Sequence, residues 1–158
     1  MKKAIIVDLD QTICESTEIL QEFILGDKKD WNGYYSNLHR CIPKHDILKE
    51  LTSFARNNKI DKVLFVTSRS EISFDITCDW LKKYYCDDFG ICDCSELFMR
   101  KIDDFRPSAE VKRDVYLNSI KSDYKVLKVY DDDLSVIEMF KNEGLETRLV
   151  KVAVQYVD

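Results

Sequence analysis

The sequence predicts an α/β protein in which a mainly parallel, five-stranded sheet is flanked by helices. Short apolar runs rich in β-branched residues alternate with segments of helical periodicity, which is typical of parallel strands joined by crossover helices. The chain has 158 residues, 45% of them hydrophobic, which is enough to bury one core. No repeat and no Pro/Gly-rich linker divides it, so residues 1–158 are expected to form a single domain.

Five strands and four helices follow from the apolar pattern. The strands are predicted at residues 4–8, 62–67, 96–99, 125–130 and 147–152. The helices are predicted in the segments HDILKELTSFARNN, EISFDITCDWLKKYY, AEVKRDVYLNSI and DLSVIEMFKNEG. Gly144 is expected to end the last of them, because glycine is the common residue at a helix C-terminus.

Residues 15–43 connect the first strand to the first long helix, and this connection is longer than the few residues usual between a strand and a helix. The segment is predicted to form a small lid over the site. Its aromatic residues, including Trp31, Tyr34 and Tyr35, are interpreted as packing groups in preference to platforms for base stacking.

The charge and the absence of long apolar segments restrict the classes of protein to consider. The formal net charge of −5 argues against a broad basic surface for nucleic acid, because affinity for the phosphate backbone comes mainly from Lys and Arg. No apolar run reaches 18 residues, and the N-terminus lacks the pattern of a signal peptide. We therefore expect a cytoplasmic protein that does not enter a membrane.

The six cysteines are interpreted as reduced thiols. They are Cys14, Cys41, Cys78, Cys86, Cys92 and Cys94. A zinc site is disfavoured because no CxxC pair occurs, and Cys92 and Cys94 are separated by a single residue.

Three predicted strands end in residues that carry chemistry. The first is followed by Asp8 and Asp10, the second by the sequence Thr-Ser-Arg at 67–69, and the fourth by three aspartates at 131–133. In open α/β sheets ligands bind beyond the carboxyl ends of the strands. Crowded carboxylates need a cation, and several converging oxygens suit Mg²⁺. One carboxylate of the first pair would then act as a nucleophile and the other as a general acid and base.

Four elements resemble the motifs of the haloacid dehalogenase superfamily: DLDQT at 8–12, Thr67, Lys112 and the acidic pair at 131–132. This resemblance covers the whole chain and implies the Rossmann-like fold of that superfamily. A narrower resemblance is to the phosphatase domain of bacteriophage polynucleotide kinase-phosphatases. It rests on the segments KKDWNGYY, VTSRSE, LFMRKIDDFRPSAEVKRDVY and VYDDDLSVIEMF.

The resemblance implies a role for each matching residue. Asp8 would be the nucleophile and Asp10 the general acid and base. Thr67 and Lys112 would bind the phosphoryl group. The ligands of Mg²⁺ would be Asp8, Asp10, Asp131 and Asp132.

The same resemblance implies that Arg69 and Arg106 bind substrate, and it exposes two departures. Gln11 stands where the family commonly has glycine, and Asp133 where it often has arginine. A left-handed backbone would cost glutamine about 1 to 2 kcal/mol, so an ordinary conformation is expected at position 11. Asp133 removes a cation near the substrate entrance, which would affect affinity for nucleic acid more than the chemistry.

The activity that the resemblance implies is the Mg²⁺-dependent removal of 3′-phosphates from DNA or RNA ends or from nucleotides. No GxxxxGK[ST] loop occurs in the chain, so we expect either a free-standing phosphatase or a phosphatase that acts with a separate polynucleotide kinase or ligase. Two alternatives stay open. One is a small-molecule nucleotidase, favoured by the acidic composition and the small lid. The other is a non-enzymatic phosphoacceptor signalling domain, against which the DxD spacing argues.

Overall fold

A computed structural model describes residues 1–86 and 96–151 of the chain. In the described part, the strands are β1 (Lys2–Val7), β2 (Cys14–Glu15), β3 (Ile42–Pro43), β4 (Lys62–Ser70), β5 (Leu97–Arg100), β6 (Tyr124–Asp131) and β7 (Thr147–Leu149). Five of them form one sheet in the order β5-β4-β1-β6-β7, and every pair in it is parallel. The predicted fold class is therefore confirmed. The end of the fifth predicted strand, residue 152, lies outside the described residues.

Helices cover both faces of this sheet. They are α1 (Thr17–Phe23), α2 (Trp31–Ser36), α3 (His45–Asn57), α4 (Phe74–Leu81), α5 (Ser108–Val115) and α6 (Leu134–Asn142). The second and third predicted helices each change pitch, because α4 and α5 continue into π-helical turns at Lys82–Cys86 and Tyr116–Ile120. Gly144 follows α6 with a φ of 84°, which confirms the predicted helix end.

The core lies in two layers, one on each face of the sheet, and β1 contributes to both. Ile5 and Val7 belong to the layer beneath α3 and α4, whereas Ala4 and Ile6 belong to the layer beneath α5 and α6. Successive side chains of a strand point to opposite faces, so a central strand covered on both sides must be apolar throughout. This burial holds the carboxyl end of β1, and the residues that follow it, in a rigid position.

The segment 15–43 contains regular structure of its own. At its base β2 and β3 pair as a short antiparallel ladder, with Cys14 opposite Pro43 and Glu15 opposite Ile42. Between these strands lie α1, α2 and a 3₁₀ turn at Leu38–Arg40. Gly33 of α2 packs so tightly on Phe23 of α1 that a Cβ has no room there. The two strands thus tie both ends of the segment together.

The part of the chain at 1–86 and 96–151 has no helix with the length and apolar character needed to cross a membrane.

Candidate active site

The carboxyl ends of β1, β4 and β6 open into one cavity of about 600 Å³. All of the site residues predicted from the sequence line this cavity. They are Asp8, Asp10, Thr67, Arg69, Arg106, Lys112, Asp131 and Asp132. The sheet therefore brings together residues that are up to 124 positions apart in the chain, the separation of Asp8 and Asp132. The roles assigned to them stay predictions.

Asp8 lines the cavity, is buried and is held by two side chains. The Nζ of Lys112 donates to Asp8 Oδ1 at 2.9 Å and to Asp131 Oδ2 at 2.7 Å. The hydroxyl of Thr12 donates to the other oxygen of Asp8, Oδ2, at 2.9 Å. Burial alone would lower the pKa of Lys112, but Asp131 and Asp8 outweigh it and raise that pKa above its usual range. Lys112 is therefore a buried ammonium ion between two carboxyl groups.

Three carboxyl groups form a compact cluster around this point. Oxygen atoms of Asp8, Asp131 and Asp132 all lie within 4.8 Å of one another. Burial, together with the charge of Asp8, raises the pKa of Asp131 to about 7 and the pKa of Asp132 to about 9. Because repulsion between the carboxylates contributes to both shifts, a divalent cation bound among these oxygens would favour their ionised forms. The donor set, all oxygen, fits Mg²⁺.

Asp10 faces away from this cluster and pairs with Arg69. Arg69 Nε donates to Asp10 Oδ2 at 2.8 Å and Arg69 Nη2 donates to Asp10 Oδ1 at 2.7 Å, a bidentate arrangement. The guanidinium is almost completely buried and its Nη1 also donates to Thr77 Oγ1 at 3.0 Å. Burial would raise the pKa of Asp10, but the charge and hydrogen bonds of Arg69 outweigh burial and lower it.

The turn that follows β1 does not have the backbone that the sequence predicts. Gln11 has a φ of 65°, so the expectation of an ordinary conformation at this position is wrong. The peptide N–H of Gln11 donates to the carbonyl of Cys14 at 2.7 Å, and the N–H groups of Thr12 and Ile13 both donate to the carbonyl of Leu9. This tight turn needs a left-handed residue between Asp10 and Thr12, whichever side chain occupies the position.

The side chain of Gln11 is buried beneath the 15–43 segment. Its Nε2 donates to Ser16 Oγ at 2.7 Å, while its Oε1 has no hydrogen-bond partner within the described residues. The side chain that replaces the family's glycine thus links the turn to the start of α1, and this link offsets part of the backbone strain.

Thr67 and Ser68 come at the end of β4, next to the carboxylates. The hydroxyl of Thr67 is buried at the cavity wall and accepts a hydrogen bond from the N–H of Arg69 at 3.1 Å. The hydroxyl of Ser68 donates to Ser108 Oγ at 2.7 Å, which connects β4 to the start of α5. Both strand-end residues are therefore fixed in orientation.

Arg106 lies at the rim of the cavity, where acidic residues hold it. Its Nε and Nη2 donate to the two oxygens of Asp104 at 3.0 and 2.8 Å, and its Nη1 pairs with Asp114. Sequence reasoning missed its neighbour Arg100, at the end of β5. Arg100 lines the same cavity and donates to the carbonyl of Ser68 at 3.0 Å. Its place at the carboxyl edge of the sheet is the signal that could have identified it.

Asp133 has a structural role that its sequence position did not reveal. Its carboxylate accepts hydrogen bonds from the N–H of Ser135 at 2.9 Å and from the hydroxyl of Ser135 at 2.6 Å. It is therefore the N-cap residue of α6.

The structure describes four of the six cysteines: Cys14, Cys41 and Cys78 are buried, and Cys86 is half-buried. The reduced state of the cysteines stays a prediction. Cys92 and Cys94 lie outside the described residues. Cys14, Cys41 and Asp10 are close enough to share a cation, and Arg69 Nη2 already lies among them. That nitrogen is 3.6 Å from each sulfur and 2.7 Å from Asp10 Oδ1.

The fold and the arrangement of carboxylates, lysine and threonine at its carboxyl edge define the class of protein, a phosphatase of the haloacid dehalogenase type. A sequence profile of the polynucleotide kinase PNKP phosphatase domain matches residues 2–154. The chain belongs to this family of phosphatase domains. Membership of a phosphatase family excludes the alternative of a phosphoacceptor signalling domain.

Solved structures show the same fold. One chain in a structure of the Pnkp1/Rnl/Hen1 RNA repair complex has a TM-score of 0.72 and 24% identity, and the match covers 96% of this chain and 43% of that one. A chain in a second structure of the Pnkp1/Rnl/Hen1 complex has a TM-score of 0.74 and 22% identity, and the match covers 96% of this chain and 46% of that one. The class C acid phosphatase of Bacillus anthracis has a TM-score of 0.63 and 15% identity, and the match covers 98% of this chain and 69% of that one.

The chain thus spans less than half the length of the two repair-complex chains that it matches. A search of curated proteins gave no match.

Proposed function

We propose that the protein is a Mg²⁺-dependent phosphomonoesterase that removes 3′-phosphates from nucleic-acid ends through a phosphate ester of Asp8. The observation that carries the proposal is the division of labour between two carboxylates at the end of β1. Asp8 faces Lys112 at 2.9 Å, whereas Asp10 faces Arg69 at 2.7 Å. The family to which the chain belongs supports the hydrolysis of a phosphomonoester. The resemblance of the chain to polynucleotide phosphatases supports a nucleic-acid end as the substrate.

In the first step Asp8 attacks the phosphorus atom and the bond to the leaving oxygen breaks. Lys112 and Thr67 bind phosphoryl oxygens and stabilise the negative charge that they carry in the transition state. Asp10 in its protonated form donates a proton to the departing sugar oxygen. The pairing with Arg69 lowers the pKa of Asp10 and favours its ionised form, so this step requires the pair with Arg69 to loosen when the substrate binds. The products are a sugar hydroxyl and a phosphorylated Asp8.

In the second step Asp10, now ionised, removes a proton from a water molecule that attacks the same phosphorus. The low pKa of Asp10 keeps this carboxyl ionised until it takes up the proton. Inorganic phosphate leaves, and both carboxyl groups return to their starting states. One residue thus serves as acid and then as base.

Asp8, Asp131 and Asp132 would hold Mg²⁺, since their oxygens lie within 4.8 Å of one another. The ion, when bound, would neutralise negative charge on the phosphoryl group and on these carboxylates. The carboxylate of Asp10, which was also predicted to be a ligand, faces Arg69, so we assign the side-chain ligands to the other three residues.

We also propose that residues 1–158 act as a single domain and that the segment 15–43 is its lid. The ladder between β2 and β3 closes the base of this segment, and Trp31, Asn32 and Tyr35 of α2 line the cavity. The solved structures with RNA repair complexes favour RNA ends as substrates and a separate kinase or ligase as partner. A cytoplasmic location and a bacteriophage-like relationship remain predictions from the sequence.

A comparison of substrates tests the proposal. Release of inorganic phosphate is measured with Mg²⁺ for matched 3′-phosphorylated RNA and DNA oligonucleotides, the same oligonucleotides phosphorylated at the 5′ end, and free 3′- and 5′-nucleotides. We expect the 3′-phosphorylated oligonucleotides to have the highest kcat/KM, and an excess of chelator to abolish turnover.

The opposite ranking would favour the small-molecule nucleotidase, an alternative supported by the net charge of −5. Full turnover in chelator would contradict the metal assignment. Asp8→Asn is the matched control, because it removes the attacking oxygen with a side chain of nearly the same size.

A further inference from the structure

The cavity has an apolar rim next to its carboxylates, and the proposed chemistry does not use this rim. Trp31, Ile72, Ile102 and Phe105 line the same cavity as the carboxylates. Their exposure is large, from 49% for Trp31 to 88% for Phe105. Large apolar side chains exposed together on a protein surface indicate a binding site. We call these four residues the apolar rim.

Trp31 is held in place although half of its surface is exposed. Its ring stacks on Tyr35 with centroids 5.9 Å apart and an interplanar angle of 29°. The ring of Tyr34, which is buried, meets it edge-on at 5.8 Å. The sequence-based interpretation of these aromatics as packing groups therefore describes Tyr34 well. The indole of Trp31, in contrast, combines a fixed orientation with an exposed surface.

The members of the rim come from three separate segments that contact one another. Helix α2 packs against the turn Glu71–Ser73, which follows β4 and contains Ile72. The N–H of Ile102 donates to Glu71 Oε1 at 3.4 Å, which connects the loop after β5 to the turn that contains Ile72. The apolar rim is thus a continuous border from the lid to the loop that carries Phe105.

We propose that the apolar rim binds the base of the last nucleotide of the substrate, with Trp31 as a stacking surface and Phe105 as a second apolar contact. This inference rests on the proposed function, because it assumes a phosphorylated nucleic-acid end in the cavity. When the 3′-phosphate lies at Asp8, the base of the same nucleotide has to extend along one wall of the cavity toward its opening.

Three properties of the site favour a base as the occupant. The volume of about 600 Å³ lies within the range of sites that enclose a small molecule. Every base has a flat apolar face, so an aromatic ring can bind it without reading its sequence. The rim also contains polar groups suited to a nucleotide, because Asn32 and Arg100 line the cavity next to Trp31 and Ile102.

The experiment compares two 3′-phosphorylated oligonucleotides of the polymer type that the protein hydrolyses, identical except that one lacks its terminal base. Loss of stacking on one aromatic side chain costs roughly 5- to 150-fold in affinity. We therefore expect kcat/KM of the unchanged protein to fall by about that factor for the abasic end. In Trp31→Ala the ratio of kcat/KM for the complete end to kcat/KM for the abasic end should fall toward one. Trp31→Phe should keep most of this ratio.

Two further variants keep this test independent of folding. Phe105 is 88% exposed, so Phe105→Ala should fold normally and should reduce the same preference. Phe74→Ala is the matched control, since Phe74 is an exposed ring outside the described lining of this cavity. It should keep the full preference for the end with a base.

Each result has a defined meaning. Equal hydrolysis of the two ends by the unchanged protein would overturn the base site and leave the 3′-phosphatase activity standing. A preference that survives in both Trp31→Ala and Phe105→Ala would also overturn it, as the base would then be bound elsewhere. Hydrolysis of neither end would overturn both the base site and the proposed function.

Discussion

Asp8 and Asp10 are two positions apart in the chain, yet their carboxylates have different partners. Lys112 and Thr12 hold Asp8, which keeps its oxygens next to the acidic cluster. Arg69 holds both oxygens of Asp10. We propose that the different partners give two chemically equal side chains different roles, which mutation can separate.

We expect Asp8→Asn to abolish turnover on every phosphomonoester, aryl phosphates included, because no attacking carboxylate remains. Asp10→Asn removes only proton transfer, which typically contributes about 100- to 10,000-fold. An aryl leaving group needs little protonation, so Asp10→Asn should give an initial burst of phenolate stoichiometric with enzyme, followed by slow release. Mass spectrometry should locate the trapped phosphate on Asp8. Steady turnover of a sugar phosphate by Asp10→Asn, or phosphate on Asp10 in the unchanged protein, would overturn this assignment.

A second prediction concerns the left-handed backbone at Gln11. Gln11→Ala keeps the unfavourable φ of 65° and loses the hydrogen bond to Ser16, whereas Gln11→Gly loses the same bond but relieves the strain. Gln11→Gly should therefore be more stable than Gln11→Ala by about 1 kcal/mol in urea unfolding. Equal stability of the two variants would show that the turn relaxes when the side chain is shortened.

Single residues were predictable from the sequence only where a motif marked them. The motif placed Asp8, Asp10 and Lys112 in the cavity correctly. It could not show that Arg69 forms a bidentate ion pair with Asp10. Arg100 was missed because a lone arginine at a strand end carries no motif. The conformation of Gln11 was predicted wrongly, because the cost of a left-handed residue was considered without the hydrogen bonds of the turn that require it.

Among the elements, α6 shows how a departure from the family pattern can be structural. Asp133 caps this helix through the N–H of Ser135 at 2.9 Å. Asp133→Ala should lower the free energy of unfolding by about 1 kcal/mol, and Asp133→Asn should keep most of the stability. Denaturant unfolding of the two variants measures the difference. A loss of the same size in both would mean that the negative charge, and not the cap hydrogen bond, stabilises the helix.

The end of β6 predicts how stability changes with pH when no metal is bound. The pKa values of Asp131 and Asp132, raised to about 7 and about 9 in the folded protein, exceed the ordinary value of 3.8. The folded state therefore binds more protons than the unfolded state above pH 4, and the free energy of unfolding falls as the pH rises. In chelator the free energy of unfolding should decrease by roughly 3 kcal/mol per pH unit between pH 5 and pH 7, where both groups hold a proton, and by roughly 1 kcal/mol per pH unit from pH 7 to pH 9. The midpoint of thermal unfolding, measured across this range, should fall with it.

Mg²⁺ should reverse this trend, because a bound cation favours the ionised carboxylates. The increase in the unfolding midpoint caused by Mg²⁺ should therefore be larger at pH 9 than at pH 5. Calorimetry across this range, with Ca²⁺-free buffers and matched ionic strength, measures the increase. Identical pH profiles with and without Mg²⁺ would contradict the proposed site at Asp8, Asp131 and Asp132.

The elements themselves were more predictable than their ends. Strong apolar periodicity located α3 and α6 to within two residues, and short apolar runs located the five strands of the sheet. The internal structure of the 15–43 segment was not predicted, because α1 and α2 are too short to show periodicity and depend on tertiary packing such as that of Gly33 on Phe23. The π-helical turns after α4 and α5 likewise have no clear sequence signal.

At the scale of the whole molecule, the charge distribution predicts that kcat/KM for a nucleic-acid substrate depends only weakly on salt concentration. Arg106 is paired with Asp104 and Asp114, and the chain carries a net charge of −5. Each phosphate contact on a single strand contributes about −0.7 to the slope of log affinity against log salt. We expect a slope no steeper than about −1 for log(kcat/KM) of a 3′-phosphorylated oligonucleotide between 50 and 400 mM KCl. A slope of about −3 would reveal several backbone contacts beyond the cavity.

The architecture as a whole was the most predictable feature, for a physical reason. A parallel sheet covered on both faces requires long apolar runs in its strands, and its ligands bind at one edge, so a local pattern implied a global arrangement. Contacts between segments far apart in the chain, such as the joining of α2, Ile72 and Ile102 around the cavity, have no local pattern and became visible only in three dimensions.

The central place of β1 in the sheet constrains the order in which the protein can be completed during synthesis. β1 pairs with β4 at residues 62–70 and with β6 at residues 124–131, so both neighbours are translated after it. Until β6 has left the ribosome, the strand that carries Asp8 has one edge without its native partner, and such edges favour aggregation. A nascent chain that ends before Asp131 cannot assemble the cluster of Asp8, Asp131 and Asp132, so this cluster can form only after these strands have all been made.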